Sequence, residues 1–313
     1  MPLFNAEKYL AETLECCLAQ TYSNIEIIIV DDGSTDGSLS IAQKYEKKDS
    51  RIHVYSQPNK GGCRARNVAF EKSSGDYIKY LDADDLMSHN LIELQVTLLE
   101  KENDRYAVCT CGWEEVYDFN TIPNTQRNIY KNYDYGLDLI EDAWNNNEWF
   151  VVSCYLTSRN LIQEVGKWDE GLLKNQDTEF FHRVLTKTHK IIYESQSKFF
   201  YRRGHTSVST IDSFNIHRIQ SMFEARKKSI ELVISIKNTP YIRKGAAKFY
   251  SSMLLTAPYG SKIYKDVCQE ITLLNERPKH PSPSNFVKLL ELIIGFNNLM
   301  LIKNYLRKFH LHK

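Results

Sequence analysis

Ile25-Glu26-Ile27-Ile28-Ile29-Val30-Asp31-Asp32-Gly33-Ser34-Thr35-Asp36 passes within a few residues from branched aliphatics to carboxylates and a glycine. Consecutive β-branched residues without polar alternation read as a strand buried on both faces, the situation of a parallel sheet covered by helices. Asp31-Asp32-Gly33-Ser34 reads as a turn, and a helix is expected from near Asp36. Moving outward, Arg51 to Ser56 reads as a second strand, and Gly61-Gly62 opens a helix to about Lys72 that Gly75 ends. Tyr77 to Leu81 reads as a third strand halted by carboxylates, with a helix over Ser88 to Lys101. This alternation predicts a doubly wound α/β sheet over roughly the first 110 residues, whose ligands collect at the carboxyl ends of its strands.

Beyond Tyr106 the pattern is mixed. Ala107 to Tyr117 is strand-like, Leu137 to Trp144 helical, Val151 to Thr157 strand-like and Asp177 to Thr188 helical; past Phe214 the chain reads as mostly helical. Arg277 to Pro283 holds Pro278, Pro281 and Pro283, which predicts an extended linker to a terminal helix. The expected division is a catalytic region over residues 1–210 and a helical C-terminal region over 211–313.

Of 313 residues, 42% are hydrophobic and 25% charged, enough for one or two buried cores. A net charge of +1 argues against a nucleic-acid coat protein. That sum averages opposites: residues 1–200 carry 21 Lys+Arg and 32 Asp+Glu, a net −11, and residues 201–313 carry 19 and 7, a net +12. Seven cysteines without C-x-x-C spacing read as reduced thiols rather than a disulfide or zinc framework. The first residues have neither a basic nor an apolar signal region, and the apolar run Leu289 to Ile302 is interrupted by Glu291, Asn297 and Asn298. A cytoplasmic chain without a membrane-spanning helix is therefore expected.

Three segments carry chemistry, each against a plainer alternative. Asp32, fixed at a strand end, can accept the imide N–H of uracil; the alternative is a turn with a helix cap, and Asp31 is expected only to shape that turn. In Asp82-Ala83-Asp84-Asp85, extended backbone would send Asp82 and Asp84 to one side and Asp85 away from it. Such a pair suits Mg²⁺ or Mn²⁺ completed by diphosphate oxygens and water, although D-x-D also arises by chance. Asp177 falls where a helix starts. It is either an N-cap or a general base that takes a proton from an acceptor hydroxyl.

Pro2-Leu3-Phe4-Asn5-Ala6-Glu7, Ile28 to Ser38, Asn59-Lys60-Gly61, Ala65-Arg66-Asn67, Asp82-Ala83-Asp84-Asp85 and Gln176-Asp177-Thr178-Glu179 occur in an order and spacing that resembles family 2 glycosyltransferases, over about residues 2–210. The resemblance implies a glycosyltransferase A-type fold with a doubly wound mixed sheet, a nucleotide-sugar donor that is usually uridine-linked, and inversion at the anomeric carbon. It also implies that Pro2, Asp32, Asn59, Arg66 and Asp82 contact the nucleotide, that Asp84 holds the metal and that Asp177 is the base. Tyr201-Arg202-Arg203-Gly204-His205-Thr206-Ser207 looks like the family's stretch that closes over the diphosphate. Arg202 and Ser207 would then meet phosphate oxygens and His205 would be a further metal ligand, although His205 sits one place later than in the common spacing.

Family members usually carry an apolar strand before the Pro-x-aromatic-Asn segment. Its apparent absence here leads one to expect unpaired backbone between the strands at 25–30 and 77–81, and either a start further upstream or a destabilised chain. Residues 286–309 mix Phe286, Leu289, Leu290, Ile293 and Tyr305 with Lys303, Arg307 and Lys308. They read either as a helix on an anionic membrane face, suited to a polyprenyl-linked glycan acceptor in surface polysaccharide synthesis, or as a helix packed on its own domain or in a homodimer. On the membrane reading the enzyme would be peripheral on the inner face of the plasma membrane. Two other functions fit less well: a sugar nucleotidyltransferase, for which Gly61-Gly62 is a poor phosphate loop, and a catalytically silent membrane-associated scaffold.

Overall fold

The computed structural model describes residues 1–119, 121–203, 215–279, 287, 291, 295–296 and 298–302. The chain forms two compact units. One comprises Met1–Leu139, Trp149–Leu172 and Phe180–Thr206; the other comprises Ile140–Glu148, Leu173–Glu179 and Ser207–Lys313.

The first unit opens with strand β1 (Pro2–Leu3), helix α1 (Leu10–Leu18), β2 (Ile27–Asp31), α2 (Ser38–Glu46), β3 (Ile52–Ser56) and α3 (Gly62–Lys72). β1, β2 and β3 pair in that order, all parallel. Every residue of β2 is buried, as its unbroken aliphatic run predicts. α3 turns Ala65 and Ala69, one turn apart, onto Ile28 and Val30, and these small side chains let the helix lie close to the sheet.

There follow β4 (Tyr77–Ile78), β5 (Leu86–Met87), α4 (Leu91–Glu102), β6 (Ala107–Val116), β7 (Leu156–Ser158), α6 (Arg159–Val165) and β8 (Lys190–Arg202). Two helices, α5 (Gly136–Asn146) and α7 (Gln176–Thr186), run across the boundary between the units. The second sheet has the order β4-β7-β6-β8-β5; β6 and β8 are parallel and the other pairs antiparallel. α4 packs Val96 and Leu99 against Ala107, Cys109, Leu156 and Ile192 of this sheet. A register shift at Cys111/Gly112 is built around Glu194, whose carboxylate accepts the Gln196 and Ser197 amides. A Cβ on Gly112 would come within 3.0 Å of the Tyr193 hydroxyl, so glycine suits this point. All seven cysteines are free.

Two expectations need correction. The third strand does not extend the first parallel sheet: β4 stops at Ile78 and pairs antiparallel with β7. Nor is the first strand missing altogether, because β1 lies beside β2, with Val30 N–H donating to Met1 O at 3.0 Å and Asp32 N–H to Leu3 O at 2.8 Å. A cavity of about 350 Å³ separates Ile27 and Ile28 from Tyr77, Lys79 and Leu81. The two sheets stay separate because no described strand bridges this gap.

Met1 lines the same cavity, and its nitrogen donates to Ile28 O at 2.8 Å.

The second unit is helical in its longer part: α8 (Ile216–Ile236), α9 (Pro240–Ser251) and α10 (Lys262–Leu273). Asn215, Thr239 and Ser261 cap them, accepting the amides of His217, Ile242 and Tyr264. Gly245 suits its position, since a Cβ there would lie 3.0 Å from Trp144 Cβ, and Trp144 stacks on Phe249. Residues 276–279 form no regular element. The rest of the proline-rich stretch and most of the expected helix at 286–309, including Lys303, Tyr305, Arg307 and Lys308, lie outside the described residues. Among the described residues no helix is long and apolar enough to cross a membrane.

Candidate active site

The segments that share sequence motifs at 2–7 and 31–38 lock together. Asn5 N–H donates to Ser34 Oγ at 3.1 Å, Asn5 Oδ1 accepts the Thr35 amide at 2.8 Å, and Glu7 Oε2 accepts the Gly37 amide at 2.6 Å. Asn5 adopts φ 49°, a conformation asparagine tolerates. Sequence reasoning gave Asn5 and Glu7 no such role. Their pairing with an N–H-rich turn some 30 residues away leaves no local signal.

The two carboxylates that end β2 divide their work. Asp31 accepts the Ser34 amide and the Ser56 hydroxyl, and so shapes the turn as expected. Asp32 is 3% exposed and accepts the Lys60 amide at 2.8 Å, the Gly61 amide at 2.8 Å and Gln57 Nε2 at 2.7 Å. It therefore pins the 57–61 loop, which includes Asn59, to the end of the strand. Gly33, at φ 76°, lies so close that a Cβ would meet Asn59 N at 2.9 Å. A carboxylate has about four lone-pair positions, so Asp32 can accept one further donor.

The Asp82–Asp85 segment is a turn, not extended backbone, with the Asp85 amide 3.5 Å from Asp82 O. The three carboxylates nonetheless differ in burial. Asp82 and Asp84 remain partly exposed, while Asp85 is 1% exposed and accepts the Arg202 amide at 2.8 Å. Burial, then the charges of Asp84 and Asp82, push the Asp85 carboxyl well above the usual carboxylate range. Among the described residues there is no group of three His, Cys, Asp or Glu side chains able to hold a metal. A cation here would take Asp84 with Asp82 and complete its shell with diphosphate and water oxygens, which suits Mg²⁺ or Mn²⁺.

Two arginines converge on the same turn. Arg66, buried, donates from Nη2 to Asp82 Oδ1 at 2.7 Å and lies 4.8 Å over the Trp168 ring. Arg202 donates from Nε to Asp84 O at 2.8 Å and from Nη2 to Glu12 at 2.7 Å, between the rings of Tyr9 and Phe119. Its Nη1 makes no hydrogen bond among the described residues. Arg66, Asp82, Asp84 and Arg202 are thus brought together, and Pro2 lies in β1 beside the end of β2. His205 and Ser207 lie outside the described residues.

Next to Arg66, Asn67 binds both the amide and the carbonyl of Trp168 and donates to Glu170. Trp168 stacks on Phe180 at 4.1 Å and 7°. α3 is thereby tied to Phe180 of α7 within the first unit. Asp177 itself belongs to the second unit and is the second residue of α7, not its cap; its Oδ1 accepts the Thr178 amide at 2.9 Å. Just ahead of the helix, Asn175 adopts φ 58°.

Compared with known proteins, residues 1–206 match the sequence model of glycosyl transferase family 2. An uncharacterized glycosyltransferase of Haemophilus influenzae is 33% identical over 230 residues, 69% of this chain and 85% of that protein. Glycosyltransferase GlyG of Streptococcus pneumoniae is 29% identical over 294 residues, 87% of this chain and 94% of the relative. Among solved structures, S. aureus TarS 1–349 in complex with UDP superposes with a TM-score of 0.67 at 16% identity, covering 97% of this chain and 86% of that one.

Proposed function

The chain belongs to glycosyltransferase family 2, and on that premise we propose that it moves a sugar from a UDP-linked donor to a hydroxyl of a glycan acceptor, with inversion. The observation that carries this reading is the convergence of Arg66 and Arg202 on the Asp82–Asp85 turn. Cations beside a carboxylate pair match what a sugar diphosphate presents: phosphate oxygens for the arginines, and negative charge that a divalent cation held by the aspartates would neutralise. The UDP bound by the structural relative supports a uridine nucleotide.

In this reading Pro2, Asp32, Asn59, Arg66 and Asp82 hold the nucleotide, and Arg202 with Ser207 hold the diphosphate. Asp84, with Asp82 and His205, would hold a divalent cation, which when bound neutralises charge developing on the departing UDP. Asp177 takes the proton from the acceptor hydroxyl as that oxygen attacks the anomeric carbon from the face opposite UDP. One base suffices, because the leaving diphosphate needs no proton. The catalytic residues fall within 1–210, and 211–313 forms a helical C-terminal region whose segment 286–309 meets the membrane surface. The mixture of apolar and basic residues at 286–309 supports a polyprenyl-linked glycan acceptor of surface polysaccharide synthesis, met by a peripheral enzyme at the inner membrane face.

The test is to incubate the full chain with UDP-sugars, Mn²⁺ and glycan acceptors and to identify the leaving group. Release of UDP, suppressed by chelator, is expected. Formation of UTP and sugar 1-phosphate when pyrophosphate is added to the same UDP-sugars would replace the transferase reading by a nucleotidyltransferase, and UDP binding without turnover would leave a silent scaffold.

A further inference from the structure

Lys174 stands three residues before Asp177, in a segment held firmly on α8. The amides of Leu173 and Lys174 donate to Ser221 Oγ at 2.6 and 3.2 Å, and Arg226 Nε reaches Asn175 Oδ1 at 3.4 Å. Arg218 and Arg226 are eight residues apart on α8 and so share one face of it. Arg226 spends its other described hydrogen bonds on neutral groups, the Phe249 carbonyl and the Ser252 hydroxyl, and lies 4.3 Å over the Phe249 ring. Neither Lys174 nor Arg226 pairs with a carboxylate among the described residues.

This gathering of positive charge is costly. Burial, then the charges of Arg218 and Arg226, pull the Lys174 ammonium below its usual range, and burial takes Arg226 down to about 10. A bound anion would relieve both. Several converging positive charges match a phosphate better than a single carboxylate. No more than about 10 Å of backbone separates Lys174 from Asp177, so an anion held here lies close to the hydroxyl that the base would deprotonate.

We propose that Lys174, backed by Arg226, forms a subsite for a phosphate group of the acceptor, placed next to the reacting sugar. This rests on the reading of Asp177 as the base. The acceptor is then a phosphate-bearing glycan whose charge lies within a sugar unit or so of the new bond.

The test uses the full chain with two probes: inorganic phosphate in chelator, followed by ³¹P line broadening, and UDP with Mn²⁺, followed by calorimetry. Lys174→Gln is expected to weaken phosphate binding by about tenfold or more, Lys174→Arg to retain most of it, and neither to change UDP affinity. Unchanged phosphate binding in Lys174→Gln would overturn the subsite. So would a parallel loss of UDP affinity, which would hand the cations to the donor. If the wild-type chain binds phosphate through Lys174 but no UDP at all, the donor reading fails, and the acceptor assignment fails with it.

Discussion

Asp177→Asn is expected to lower sugar transfer by roughly 10²-fold or more, the usual worth of a positioned general base, while UDP affinity stays at the wild-type value. The amide has nearly the volume of the carboxylate and can still accept the Thr178 amide, a bond now made at 2.9 Å, so the first turn of α7 should persist. What it loses is a basic site for the acceptor proton. A carboxylate at a helix start sits in the positive end of the helix dipole, which keeps it ionised but makes it a weak base. Orientation must therefore supply much of the rate. Steady-state kinetics with saturating donor, alongside calorimetry with UDP and Mn²⁺, separates the two quantities. Near-normal turnover with intact binding would remove Asp177 from the mechanism.

Asp84→Ala is expected to remove the metal-dependent part of UDP binding, by about 10²-fold, the several kcal/mol a divalent cation contributes at a phosphoryl oxygen. The substitution spares the local structure. Arg202 Nε bonds the backbone carbonyl of Asp84, not its side chain, and Asp82 keeps its pair with Arg66. Asp85, whose carboxyl is raised partly by the Asp84 charge, should also titrate closer to its ordinary range. UDP affinity measured with Mn²⁺ and with chelator should coincide in this variant. A wild-type gain on adding Mn²⁺ would refute the ligand role.

Local periodicity made the first half of the fold readable. β2, β3 and α3 form within a residue or two of the spans read from the sequence, because a fully apolar run and a glycine-bounded helix leave few alternatives. β8 shows the limit. Lys190–Arg202 is a 13-residue strand, yet Glu194 to Lys198 interrupts its apolar character. Glu194 there serves the register shift against β6, a contact between segments some 80 residues apart that no window of sequence displays. β4 departs differently: of Tyr77 to Leu81 only Tyr77–Ile78 forms a strand, and its pairing partner is β7.

At the candidate site the residue types were legible and their division of labour was not. Sequence alone determined that carboxylates end the buried strand β2 and that the chain carries the family's motifs in order, because both are properties of spacing along one polypeptide. Only the tertiary structure decided that Asp32 spends its oxygens on the 57–61 loop, that Asp85 is the buried member of its cluster, and that Arg66 and Arg202 meet at one turn. Each of these rests on hydrogen bonds and burial between residues distant in sequence. Such interactions depend on where folding brings the partners, and the order of residues does not state it.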